Sequence, residues 1–252
     1  ERVGFLYPAS FDYAALIIGV VAAGGIAVPL SVHATTDELA HCLSVTGVKR
    51  LVLPETLRSE AFNDVCAGLS VTQLTIDALP SAVAPDAWPI RSEQGALIVF
   101  TSGTTGKPKG VVHTHGSWLS GVSHTMRTVF NATHDDTLYV IGDPGWITGQ
   151  SYLIAAPLVQ GMTTVIAEGS PLFPHAGRFS SIIERYKVTL FKAGSTFLKA
   201  VMTDPASTRD MAAFDMSSLR AGTFCAEPVS PAVQQFAMEN ICSHYINSYW
   251  AT

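Results

Sequence analysis

The chain has 252 residues, of which 48% are hydrophobic and 14% charged, with a formal net charge of -5. That is ample apolar material for a large core, in one big domain or two smaller ones, and the lack of any dense charge block excludes a disordered tail. The lysines and arginines are scattered and offer no basic face, which excludes a nucleic-acid partner and leaves small molecules or protein.

The first residues, Glu1 to Ser10, read as a strand running into a loop, and there is no initiator methionine. The chain is therefore expected to begin inside a folded unit. The uncharged stretch from Tyr13 to Val32 approaches the length of a membrane span, but Gly19, Gly24, Gly25 and Pro29 interrupt it and no basic cluster flanks it. It reads as a buried helix, Tyr13 to Ala23, turning at the paired glycines into a short buried strand at Ala27 to Leu30. No signal peptide is visible, so a cytoplasmic location is expected. Helical spacing from Asp37 to Val45 and an apolar run from Arg50 to Leu53 complete a strand, helix, strand, helix, strand opening. The Ala- and Pro-rich stretch from Ala78 to Pro89 has neither period and predicts a linker. The expected units are accordingly 1–90, a first α/β subdomain with its linker, and 91–252, a second.

Beyond the linker, strands are predicted at Ala96 to Phe100 and Gly110 to His113, separated by a loop of small residues. A helix from Ser117 to Phe130 and a strand at Thr137 to Ile141 follow. The next helix runs from Thr148, as its N-cap, to Val159; Gly161 stops it, and a strand lies at Thr163 to Ala167. The alternation continues through Phe179 to Tyr186, Val188 to Phe191, Thr196 to Met202, Ser218 to Phe224, Pro231 to Glu239 and Tyr245 to Trp250. Such units predict an α/β fold of mostly parallel sheets flanked by helices, in which ligands bind beyond the carboxyl ends of strands.

The cysteines at 42, 66, 225 and 242 form no CxxC pair and have no histidine at metal-ligand spacing, so they read as reduced, buried thiols and no metal site is expected. His113 and His115 alternate on a predicted strand, but they lack a third ligand and read as satisfied structural histidines.

The chemistry concentrates in Thr101-Ser102-Gly103-Thr104-Thr105-Gly106-Lys107-Pro108-Lys109-Gly110, set between two apolar strands. Its glycines let backbone amides approach a ligand, while its hydroxyls and lysines supply donors for phosphate oxygens. It is not a Walker A loop, because Pro108 follows Lys107 where Ser or Thr is required and the glycines are more closely spaced. The alternative reading is a flexible surface turn, which ten consecutive residues of this chemistry disfavour.

TSGTTGKPKGV resembles the phosphate-loop signature of the adenylate-forming superfamily of acyl-CoA synthetases, adenylation domains and luciferases. Gly142-Asp143-Pro144-Gly145-Trp146-Ile147-Thr148-Gly149 resembles the substrate-site segment of its acetyl-CoA synthetase branch. Ala226-Glu227-Pro228 resembles the loop along the adenine, and Asn247-Ser248-Tyr249-Trp250-Ala251-Thr252 the strand-end motif over adenine, α-phosphate and acyl group. The resemblance implies an ATP-dependent acid:CoA ligase that joins a short-chain carboxylate (acetate, propionate or 3-hydroxypropionate) to CoA through an acyl-AMP. It implies that Thr101, Ser102, Gly103, Thr104, Thr105, Gly106 and Lys109 hold the β- and γ-phosphates, Lys107 doing so or remaining solvated. Thr252 would act catalytically as a donor to the α-phosphate.

Ala226, Glu227, Pro228, Asn247, Ser248 and Tyr249 would hold adenine, Asn247 standing where an aspartate is common in the family. Trp146, Ile147, Thr148, Cys225 and Trp250 would form the acyl pocket, and Ala193, Gly194 and Ser195 the CoA channel. No acid occurs between Trp146 and Gly161 to pair an α-amine, which argues against an amino-acid substrate. ATP, CoA and Mg2+ are the implied ligands. The resemblance places the magnesium-holding glutamate, the ribose aspartate and the mobile C-terminal domain with its adenylation lysine beyond Thr252, so the chain reads as a fragment incomplete at both ends and inactive by itself. The ending INSYWAT is also similar to the synthetase portion of propionyl-CoA synthases, which implies fusion to further catalytic domains. A catalytically inactive nucleotide-binding module remains the alternative.

Overall fold

The computed structural model describes residues 1–79, 89–101, 106–249 and 252. Most of the expected linker, the residues 102–105 of the phosphate loop, Trp250 and Ala251 lie outside the described residues. The described chain divides into two compact units, the first holding residues 1–120, 143–150 and Thr252, the second 121–142 and the other described residues after 150.

In the first unit the order is β1 (Arg2–Leu6), α1 (Phe11–Ala22), β2 (Ile26–Leu30), α2 (Thr36–Thr46), β3 (Arg50–Val52), α3 (Glu60–Gly68), β4 (Thr72–Leu74), β5 (Gly95–Thr101) and β6 (Lys109–Thr114). These strands form one sheet in the order β4-β3-β1-β2-β5-β6, parallel except for the β5–β6 hairpin. Helix starts are set by hydroxyl caps. Ser10 accepts from the Tyr13 amide, and Thr35 and Glu38 exchange bonds in a capping box. The paired glycines end α1 as expected, with Gly24 at φ 74°. Among the described residues no helix is long and apolar enough to cross a membrane.

The boundary expected at position 90 is corrected. β5 begins beyond it yet joins the first sheet, Leu97 pairing with Ala27 of β2, because its run of buried residues completes that core. Two elements that no expectation covered, α3 and β4, fill the stretch from 60 to 74. His113 and His115 do not share a strand, for β6 ends at Thr114 and His115 opens α4 (His115–Thr128). Nor are they satisfied: the Nε2 atoms of both are buried with no partner among the described residues, and burial lowers both pKa values.

The second unit continues with β7 (Thr137–Ile141), a π-helical stretch (Gly149–Ala155) reaching into it, α5 (Ala156–Gln160), β8 (Thr163–Val165), α6 (Arg178–Tyr186), β9 (Leu190–Gly194), α7 (Ser195–Thr203), α8 (Pro205–Met211), β10 (Ala221–Cys225), α9 (Pro231–Asn240) and β11 (Tyr245–Asn247). Its sheet runs β11-β10-β9-β7-β8 and is parallel throughout. The helix expected from Thr148 to Val159 is a π stretch followed by the short α5. Pro157 has no N–H to give, so the widened turn ends where an uninterrupted α-helix would need one. Gly161, at φ 67°, stops α5 as expected.

At the amino ends of β7, β9 and β10 this sheet is clamped by one ion pair. Both Asp136 oxygens accept from Arg220, at 2.8 and 2.5 Å, and they also accept from the Thr189 hydroxyl and the Thr133 amide. Burial works to raise the Asp136 pKa, but these donors outweigh it and hold it at about 2, against an ordinary 3.8. A carboxyl so depressed stabilises the fold above its unfolded pKa and loses that contribution as the pH falls through about 2. Arg220→Met is therefore expected to cost about 2 kcal/mol at pH 7 in urea denaturation. The gap should shrink below pH 4; an equal gap at pH 7 and pH 3 would contradict the assignment.

Candidate functional site

In the first unit, Thr101 and Lys109 face each other as the last pair of the β5–β6 hairpin, which fixes the base from which the expected phosphate turn springs. Lys109 lies within β6, one residue before the expected strand start, and its side chain is exposed. Gly106 and Lys107 are exposed, and a Cβ on Gly106 would meet open space. The returning arm is pinned where the Pro108 carbonyl meets His41 Nε2 at 2.9 Å. Ser102, Gly103, Thr104 and Thr105 lie outside the described residues.

The Asp143 to Gly149 segment belongs to the same unit and is folded by polar contacts that motif reading did not anticipate. The Asp143 carboxylate accepts from the Ser31 hydroxyl at 2.6 Å and from the Gly145 amide at 2.7 Å. The Pro144 carbonyl accepts from the Tyr13 hydroxyl and the Gln150 side-chain amide, both buried. Gly145 and Gly149 are demanded by contact. A Cβ on Gly145 would lie 2.5 Å from the Ser31 Cα, and one on Gly149 2.7 Å from the Pro144 Cα. Ile147 is buried and Thr148 half-buried, while Trp146 is 40% exposed and turned to a cavity of about 250 Å3. Thr101, Pro108, Gly145 and Trp146, drawn from two motifs far apart in sequence, line that cavity together with Leu39 and Cys42 of α2.

In the second unit, the remaining expected residues gather at the carboxyl ends of three adjacent parallel strands, β9, β10 and β11, where Gly194 pairs with Cys225 and Asn247 with Phe224. Ala226, Glu227 and Pro228 follow β10 and are exposed, and Ala226 sits at φ 82°, a backbone region costly for any residue but glycine. Glu227 accepts from Lys199 at 3.1 Å, which lowers its pKa. Asn247 and Tyr249 are exposed, the latter by 91%.

Several expected members face inward. Cys225 is buried, as are the other three cysteines, and none of the four is in a disulfide. Ser248, expected at the adenine, turns its hydroxyl inward: it is buried, accepts from Lys192 Nζ at 2.5 Å and donates to the Phe224 carbonyl at 3.0 Å. Of the channel residues, Ala193 and Ser195 are wholly buried, and only Gly194 faces open space. Thr252 is half-buried and groups with the first unit. Trp250 lies outside the described residues.

Lys192 was missed. A lysine inside the strand run Val188 to Phe191 and beyond gives no motif, and the signal that finds it is a charged residue where the strand's alternation demands an apolar one. Among the described residues no three His, Cys, Asp or Glu side chains gather where a metal ion could sit. Those described residues accordingly supply no carboxylate cage of the kind that would hold magnesium.

The family model described as AMP-binding enzyme matches residues 1–252. The chain is 37% identical over 167 residues to acetyl-coenzyme A synthetase 1 of Candida albicans, covering 65% of this chain and 24% of that protein. It is also 37% identical over 181 residues to the acetyl-coenzyme A synthetase of Pyrobaculum aerophilum, covering 69% and 27%. The chain thus spans about a quarter of the length of the curated relatives it matches. A crystal structure of the anthranilate CoA ligase AuaEII in complex with anthranoyl-AMP superposes with a TM-score of 0.83 at 19% identity, over all of this chain and 49% of that one, so the two share a fold.

Proposed function

The chain belongs to the AMP-binding enzyme family, and from that premise we propose that it carries the nucleotide and acyl portion of an AMP-forming acid:CoA ligase. In the first step a carboxylate oxygen attacks the α-phosphorus of ATP, and pyrophosphate leaves. In the second the CoA thiol attacks the acyl carbonyl, forming the thioester, and AMP leaves. Joining two anions requires that their repulsion be neutralised and their approach fixed in line. The hydroxyls of Thr101, Ser102, Thr104 and Thr105 with Lys109 serve the leaving pyrophosphate, and Thr252 the α-phosphate. Ala226, Glu227, Pro228, Asn247 and Tyr249 take the adenine. ATP arrives with Mg2+, whose ligand we expect outside these residues, so no step is assigned to the metal.

What supports this reading most is the cavity of the first unit, which the base of the phosphate turn shares with Gly145 and Trp146 of the substrate segment. We take the acid to be short, in keeping with relatives named acetyl-coenzyme A synthetases, with acetate, propionate and 3-hydroxypropionate as candidates. Action in the cytoplasm, and fusion to further catalytic domains, belong to the same proposal.

The test is acid-dependent ATP–pyrophosphate exchange by the full-length enzyme across a chain-length series. Exchange with two- and three-carbon acids is expected; tight binding of a non-hydrolysable acyl-AMP mimic without exchange would favour the inactive nucleotide-binding module instead. Trp250→Gly should shift the preference toward longer acids by about tenfold per added pair of carbons, since each buried methylene contributes about 0.8 kcal/mol. A chain-length profile identical to the parent's would remove Trp250 from the pocket floor.

A further inference from the structure

Lys192 sits in the middle of β9 with its side chain wholly buried, and among the described residues no carboxylate pairs with it. Its ammonium is satisfied in other ways. It donates to the Ser248 hydroxyl at 2.5 Å, lies 4.4 Å from the centre of the Tyr152 ring and 5.6 Å from that of Phe130, and has the Cys225 thiol as a further hydrogen-bond partner. Burial pushes its pKa down to about 8, with Cys225 working in the opposite sense. A cation held this way costs more than an apolar side chain of the same length would, so stability does not account for a lysine here.

What the lysine provides is a fixed anchor. β11 is a three-residue edge strand that, among the described residues, pairs only with β10. Of Asn247, Ser248 and Tyr249 at its end, Ser248 alone is buried, with its amide and its hydroxyl both directed to the Phe224 carbonyl at 3.0 Å. Lys192 completes that attachment from the strand beyond β10. We propose that Lys192 is a positioning residue, which through Ser248 holds the strand end after β11 in place for adenylation without touching substrate. The catalytic part of this proposal rests on the ligase reading; the tether does not.

Lys192→Met in the full-length enzyme separates the two. The expected result is an unchanged or raised thermal midpoint, because an apolar isostere replaces a buried charge. Amide hydrogen exchange at Ser248 and Tyr249 should quicken at least about tenfold, and acid-dependent pyrophosphate exchange should slow about tenfold in kcat. Ser248→Ala should quicken the same amides and slow the same step, but with a lowered thermal midpoint because the buried ammonium then loses its acceptor. In amide exchange and kcat the double variant should lose no more than either single one, since both remove the same link. Unaltered amide exchange in Lys192→Met, or an additive double variant, would overturn the tether. Quickened amide exchange with parental adenylation kinetics would overturn the positioning role. Absence of pyrophosphate exchange in the parent, with the segment loosened in the variant, would sink the ligase reading and leave the tether standing.

Discussion

Lys109→Ala in the full-length enzyme is expected to slow acid-dependent ATP–pyrophosphate exchange by about 10²- to 10³-fold, the usual consequence of removing one donor from developing negative charge. The thermal midpoint should barely move. The side chain is exposed, and the residue's structural duty is met by its backbone, which pairs with Thr101 whatever side chain it carries. Its backbone is fixed at the base of the turn, opposite Thr101 and next to the pinned Pro108, so the side chain starts from a set place. Lys107 is exposed next to Gly106 and lacks that support, so Lys107→Ala should cost less than tenfold. Parental exchange kinetics in Lys109→Ala would remove the phosphate role from this turn. A large fall in stability would assign the lysine to the fold instead.

The strands most legible in the sequence were those buried on both faces, because continuous apolar runs such as Leu97 to Phe100 or Leu138 to Ile141 have no other use. The stretch from 60 to 74 went unread although its signals were present. Ser59 caps α3, and Phe62 and Cys66 fall on one face, but β4 is a short edge strand with a polar residue at its centre. α8 was likewise announced by Asp204 as cap and Pro205 in the first turn. The unit boundary was illegible for a different reason. Composition marked the stretch before Pro89 as a break in periodicity, whereas sheet membership is decided by pairing with a distant strand, and Leu97 pairs with Ala27. At the site, motif reading put Gly194, Cys225 and Asn247 at strand ends, where β9, β10 and β11 finish, but said nothing of which side chains turn inward. Ser248 and Cys225 turn inward, where Lys192 of β9 gives both a polar partner, from the next strand for Cys225 and from beyond β10 for Ser248.

Gly149→Ala is expected to destabilise the first unit by at least about 3 kcal/mol, at the upper end of what overpacking costs. Gly149 has no need of glycine's conformational range; the demand comes from its neighbours. An added Cβ would fall on the Asp143 carbonyl oxygen, 2.7 Å from the Pro144 Cα and 2.8 Å from the Asp143 carbonyl carbon. These are backbone atoms and cannot rotate aside. Nor can their turn retreat, since Asp143 is bound to Ser31 and to the Gly145 amide, and the Pro144 carbonyl is held by buried Tyr13 and Gln150. The methyl group must therefore either push the start of the π stretch outward or break the Asp143 turn, and both displace Trp146 from its cavity. Gly121→Ala is the matched control. It lies inside α4 with nothing within 4 Å of the added carbon, and should stabilise by about 0.8 kcal/mol through helix propensity. Urea denaturation of the two variants beside the parent should place them on opposite sides of it. A Gly149→Ala protein as stable as the parent, or losing no more than about 0.5 kcal/mol, would mean that the segment bends freely and that its glycines do not fix the cavity wall.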